Sequence, residues 1–181
     1  DLAFARAKYA ETLEAVEPAI LPFEPVKGQL HPGVTIQLRG ARHPLLNPET
    51  VVDIDVELDP QTYALIITGP NTGGKTVSLK TMGLMALMAQ SGLHLPAVDA
   101  RLTIFDNVFA DIGDEQSIDN DLSTYSSHLV NMKHFVRHAA ADTLCLIDEF
   151  GTGSDPELGG ALAEAFLEVF YEREAYGVIT T

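Results

Sequence analysis

The sequence predicts an α/β fold: a mostly parallel sheet flanked by helices, with an antiparallel subsheet at its edge. Three observations carry this. The apolar run Ala64-Leu65-Ile66-Ile67 leads into Gly69-Pro70-Asn71-Thr72-Gly73-Gly74-Lys75-Thr76 and then into an apolar segment from Val77 to Gln90, the succession of strand, glycine loop and helix. A second run, Leu144-Cys145-Leu146-Ile147, has no polar alternation and reads as a strand covered on both faces, as in parallel sheets. Helical patterns at Thr124 to His138 and Leu158 to Tyr171 flank that strand, as alternating strands and helices do in α/β folds.

Along the chain, Leu2, Ala5, Tyr9, Leu13 and Val16 recur at helical spacing among Arg6, Lys8, Glu11 and Glu14. This predicts an amphipathic helix over residues 1–17, entering from a lever or core region of a larger protein. Pro18, Pro22 and Pro25 form a stiff connector in which a helix does not continue. Val34 to Leu38 reads as a strand, and Val52, Ile54 and Val56 alternate with Asp53 and Asp55 in another; the two are expected to pair antiparallel. Gly92 suits the end of the helix after the glycine loop, and Pro96 prevents its resumption. Arg101 to Phe105 reads as a short strand, residues 113–121 as a polar loop, and Ser123 as the N-cap of the helix that follows. The next helix is entered through Asp155-Pro156. With no initiator Met and a last segment, Val178-Ile179-Thr180-Thr181, that is itself strand-like, the chain reads as a piece of a larger protein whose domain spans 18–181.

The chain has 181 residues and 46% hydrophobic content, enough for one domain with a sizeable core. Eleven Lys and Arg stand against 26 Asp and Glu, a net charge of −15. That balance argues against a grip on nucleic acid through the general surface and leaves a local basic patch or another domain for that role. The single Cys145 lies in a strand expected to be buried, where packing is its role. No signal peptide and no membrane-length apolar run is present, which points to a reducing, cytoplasmic setting without a membrane.

The chemistry concentrates in three places. Residues 69–76 read G-x-x-x-x-G-K-T, the pattern of a phosphate-binding loop. Its glycines allow successive backbone N–H groups to face a phosphate, and the helix N-terminus adds a favourable dipole. Lys75 is the candidate to neutralise β- and γ-phosphate charge, and the Thr76 hydroxyl to hold Mg²⁺. A glycine-rich turn with a chance lysine is the bland alternative, and the second motif weighs against it. There, Asp148 and Glu149 emerge at the carboxyl end of the Leu144–Ile147 strand, where open α/β sheets bind ligands. Asp148 is the candidate metal partner, through a water, and Glu149 the candidate to orient or deprotonate an attacking water. Third, Leu122-Ser123-Thr124-Tyr125-Ser126-Ser127-His128 crowds hydroxyls at a helix start, a ready anion site. Capping alone accounts for Ser123 but not for the rest of the turn. His128 itself reads as a helix-surface histidine, and His43-Pro44 as a strand-edge turn.

Taken together, the glycine loop, Phe109 to Ile118, Ser123 to His128, Asp148 to Pro156 and Arg42-His43-Pro44 resemble the MutS superfamily ATPase domain, over nearly the whole chain. Thr72, Thr76-Val77, Asp114-Glu115-Gln116-Ser117 and Tyr125-Ser126-Ser127-His128 resemble its MutS-two branch more than its mismatch-repair branch. The resemblance implies an ABC-type P-loop fold over 18–181 and hydrolysis of ATP to ADP and phosphate with Mg²⁺. It implies an ATP site built from Gly69 to Val77, with Asn71 near the γ-phosphate and His43 near the base or site entrance. Gln116 would sense the γ-phosphate and metal, and Ser123 and Thr124 would complete the site of a second protomer in a homodimer. Residues 151–155 would form a loop at the dimer seam, and the family's switch histidine would follow Thr181. Branched DNA, in suppressing recombination, or collided ribosomes would be engaged through regions outside the chain, and any nuclease activity would lie there too. A nucleotide-gated dimerisation module with little turnover remains the alternative from a different class.

Overall fold

The computed structural model describes residues 1–24, 35–58, 62, 64–113, 121–151 and 156–181. In chain order the elements are α1 (Leu2–Thr12), β1 (Ala19–Leu21), β2 (Ile36–Ala41), β3 (Ile54–Leu58), β4 (Ala64–Ile67), a 3-10 turn (Asn71–Gly73), α2 (Lys75–Gln90), β5 (Asp99–Thr103), β6 (Asn107–Asp111), α3 (Asp121–His138), β7 (Thr143–Ile147), α4 (Pro156–Glu172) and β8 (Tyr176–Thr180).

Among the described residues, two four-stranded sheets form. One has the order β4-β8-β7-β6 and every pairing in it is parallel. All residues of β7 and β8 are buried, because helices cover both faces. Leu144, Leu146, Tyr176 and Val178 pack with Leu79, Met82 and Met85 of α2 in one core. The alternate residues Cys145, Ile147 and Ile179 pack with Met132 and Phe135 of α3 and Phe170 of α4 in the other. The period-2 alternation of a strand thus serves two apolar layers at once. On the α2 side the fit is close: a Cβ at Gly83 would collide with Leu146 Cδ1.

The second sheet has the order β1-β5-β2-β3 and is mixed. β2 runs antiparallel to both β3 and β5, while β1 runs parallel to β5. Its inward residues, among them Ile36, Leu38, Leu58 and Leu102, join the α2 core. Its outward residues are charged: Arg39 lies 2.7 Å from Glu57 and 3.6 Å from Asp55, and Arg101 lies 3.4 Å from Asp99. The β2–β3 register shifts between Leu38 and Ala41, where Gly40 takes φ +56° and donates its N–H to Asp55 Oδ1 at 2.8 Å, a bulge that only a residue tolerant of left-handed backbone accepts easily.

Several boundaries differ from the sequence expectation. The proline-flanked connector contains β1, a three-residue strand. β6 is an unanticipated strand. β3 begins at Ile54 and leaves Val52 80% exposed. β5 starts at Asp99, two residues before the expected Arg101. Helix α3 starts at Asp121, so Ser123 lies within its first turn and is not its N-cap. Helix α1 has no fully buried residue: Leu2 is exposed, while Tyr9 packs half-buried against the core. The end of α2 falls where Gly92 places it: Gly92 has φ +70°, and Leu93 N and Gly92 N donate to Met88 O and Ala89 O at 3.0 and 2.9 Å, the paired bonds of a Schellman stop.

Candidate functional site

The carboxyl ends of the four parallel strands bring the chemistry together. β4 ends at the glycine loop, β8 at Thr180 and Thr181, β7 at Asp148 and Glu149, and β6 at Asp111. Within the loop, Gly69 and Gly74 hold φ values of +142° and +77°, conformations that admit glycine far more readily than other residues. Gly74 turns the chain directly into α2, whose first residue is Lys75.

Lys75 is buried, at 7% exposure. Its Nζ donates to Gly69 O at 2.7 Å and to Thr181 O at 2.5 Å, which offsets the cost of sequestering an ammonium. Next to Thr181, the Thr180 hydroxyl donates to Asp148 Oδ1 at 2.5 Å and accepts from Glu149 N at 2.9 Å. Lys75 and Asp148 are therefore drawn to one place, through consecutive residues at the end of the strand between them. Asp148 is buried, whereas Glu149 is exposed and has φ +49°.

A cavity opens beside the two acids. It is lined by Asp111, His128, Asp148 and Glu149 on its polar side and by residues such as Leu162 and Phe166 of α4 on its apolar side. Lys75 is not part of that lining; its ammonium is turned onto the two carbonyls. Asp111 is also buried. Its Oδ2 lies 2.6 Å from His128 Nδ1, its Oδ1 accepts from Asn131 Nδ2 at 2.8 Å, and its carbonyl accepts from Asp148 N at 3.0 Å. His128 is thus not a plain helix-surface histidine: it is paired with a buried carboxylate. Sequence reasoning missed this because its partner lies on β6, a strand with no clear signal.

The remaining candidates fall at different distances from this centre. Thr76 and Val77 are the second and third residues of α2; Thr76 is half-buried and Val77 42% exposed. Asn71 and Gly73 bound the 3-10 turn, and Pro70 and Thr72 are exposed. His43 lies apart from the acids, in a groove with Arg42, Pro44 and Leu46. Its Nδ1 accepts from Leu45 N at 3.3 Å. Partial burial, and then the charge of Lys80 on α2, hold the imidazole below its ordinary range. Ser123 and Thr124 sit in the first turn of α3. Gln116 and residues 152–155 lie outside the described residues. Cys145 is fully buried, and burial pushes its thiol up to about 12, which leaves it a packing residue.

Among the described residues no group of three or more His, Cys, Asp or Glu could cage a metal ion. No helix of the described residues is long and apolar enough to cross a membrane.

A family model for MutS domain V matches residues 65–181, and the chain belongs to that family. Over its whole length it is 52% identical to the endonuclease MutS2 of Thermomicrobium roseum and 50% identical to that of Geobacillus kaustophilus. It is 46% identical to the putative endonuclease MutS2 of Bacillus subtilis. The chain spans 23%, 22% and 22% of those three proteins.

Proposed function

We propose that the chain is the ATP-binding and ATP-hydrolysing domain of a MutS2-like protein, with an ABC-type P-loop fold. The observation that carries this reading is the convergence of Lys75 and Asp148 through Thr181 and Thr180 at the carboxyl edge of a parallel sheet, where α/β folds bind ligands. Lys75 is held by two carbonyl oxygens that a triphosphate would replace as partners for its charge. The loop amides and the start of α2 would cradle the phosphates. Mg²⁺, when bound by Thr76 and through water by Asp148, would neutralise charge on the transferred phosphoryl group.

Asp148 is fixed through Oδ1 by the Thr180 hydroxyl, which would orient its carboxylate for that role. Glu149, exposed at the cavity edge, would orient the attacking water and accept its proton as the terminal phosphorus–oxygen bond breaks. Ser123 and Thr124, at the start of α3, would complete the site of a second protomer, so that ATP favours the closed homodimer and hydrolysis releases it. With a net charge of −15, contact with branched DNA or with collided ribosomes would come through other regions, and so would any endonuclease activity of the kind named in the relatives.

The complete protein provides the test. Glu149→Gln is expected to retain ATP binding, lose about a hundredfold or more in turnover, and accumulate as an ATP-bound dimer. Lys75→Ala is expected to lose ATP binding. Unaltered turnover in Glu149→Gln rejects the assignment. Stimulation of turnover by branched DNA, or by ribosomes, decides between the two targets.

A further inference from the structure

Two consecutive stretches of α3, Ser127 to Asn131 and Met132 onward, are held by different forces. Met132 and Phe135, and then Ala139 just beyond the helix, are buried apolar residues of the second stretch. From Ser127 to Asn131 no residue is buried, and Val130 is 65% exposed. Two side chains in that stretch bind Asp111. His128 and Asn131, three residues apart and so on one helix face, occupy one oxygen each of its carboxylate. The carbonyl of the same residue accepts from Asp148 N. Asp111 therefore joins α3 to the strand end that carries Asp148 and Glu149, and Ser123 is only five residues, about 8 Å along the helix, from the joint.

We propose that Asp111, with the His128 and Asn131 side chains that clamp it, is a positioning unit: it sets where the amino-terminal half of α3 stands relative to the Asp148–Glu149 tip. A buried carboxylate with both oxygens engaged has one low-energy arrangement, and release of either donor leaves a charged oxygen unsatisfied. Apolar packing further along the helix resists sliding poorly by comparison, because dispersion contacts are non-directional. The catalytic consequence rests on the ATPase reading above; the mechanical one does not.

Three substitutions separate the roles of the imidazole. His128→Asn keeps a donor near the position of Nδ1, His128→Gln moves it outward, and His128→Ala removes it. Amide hydrogen exchange over residues 121–127, melting temperature, nucleotide affinity, and kcat and KM for ATP are measured for each in the complete protein. The clamp predicts faster exchange at 121–127 in His128→Ala and His128→Gln. It also predicts a fall in kcat of about tenfold or more with KM within about twofold. His128→Asn should recover to within about threefold of the unmodified protein, and Asn131→Ala should mimic His128→Ala.

Unchanged exchange in His128→Ala overturns the clamp, and faster exchange with undiminished turnover overturns its catalytic consequence. If His128→Asn is as impaired as His128→Ala, the imidazole acts by itself and the positioning role is rejected. An unmodified protein that neither binds nor hydrolyses ATP would sink the ATPase reading instead, and the exchange data would still decide the clamp.

Discussion

The two sheets solve the same packing problem in opposite ways. Every residue of β7 and β8 is buried, so these strands have no water-facing side on which to carry a functional group. At their carboxyl ends and that of β6, Thr180, Asp148 and Asp111 are locked by hydrogen bonds to one another or to α3. The mixed sheet buries one face and exposes the other, and spends its charge along that exposed face on ion pairs. A doubly covered sheet forces chemistry to its edge, where several strand ends meet; a singly covered one disperses its polar groups over a surface. The candidate site follows from the first arrangement and owes little to the second.

Breaking the doubly covered sheet should have the largest effect. Leu146→Ala, beneath α2, is expected to lower stability by about 2–5 kcal/mol in chemical denaturation; a loss under about 1 kcal/mol would mean that the α2 face is loosely filled. Thr180→Val keeps the shape but strands the oxygen of Asp148 and the N–H of Glu149, at a cost of about 1–3 kcal/mol. It should also impair nucleotide turnover, which a purely scaffolding threonine would not. Arg39→Ala probes the exposed face of the mixed sheet. Its two ion pairs are open to solvent, and its loss should stay within about 1 kcal/mol and shrink further in high salt.

The smallest effect belongs to His43. Its folded pKa is lowered from the ordinary 6.5, first by burial and then by Lys80, so the unfolded chain binds the proton more readily. Stability is unaffected above that range and declines as pH falls through it. In His43→Gln, denaturation profiles between pH 5 and 8 should lose this step. A step of opposite sign would place His43 beside an acid.

What could be read from the sequence was what local spacing encodes. The β4–loop–α2 unit and the β7 acidic tip are contiguous, and their patterns of glycine and unbroken apolar residues have few other solutions. The stop at Gly92 was legible for the same reason. β1 was hidden because three residues between prolines gain their strand conformation only by pairing with β5. β6 was hidden because Asn107 and Asp111 frame a short run whose identity depends on its neighbour β7. The pairing of His128 with Asp111 had no local trace, since it exists only once the sheet order sets β6 beneath α3. A histidine on a helix carries no mark of a carboxylate seventeen positions earlier.

Glu149 follows a fully extended strand with a left-handed backbone, φ +49°, a geometry that disfavours a side-chain-bearing residue by about 1–2 kcal/mol. In this way one peptide step separates a sequestered acid from a solvent-facing one, and adjacent carboxylates acquire different surroundings without an intervening residue. Folding alone would be better served by glycine at this corner. A glutamate there gives up backbone ease and sets a carboxylate at the cavity edge, fastened by the threonine hydroxyl that holds both its amide and the preceding carboxylate.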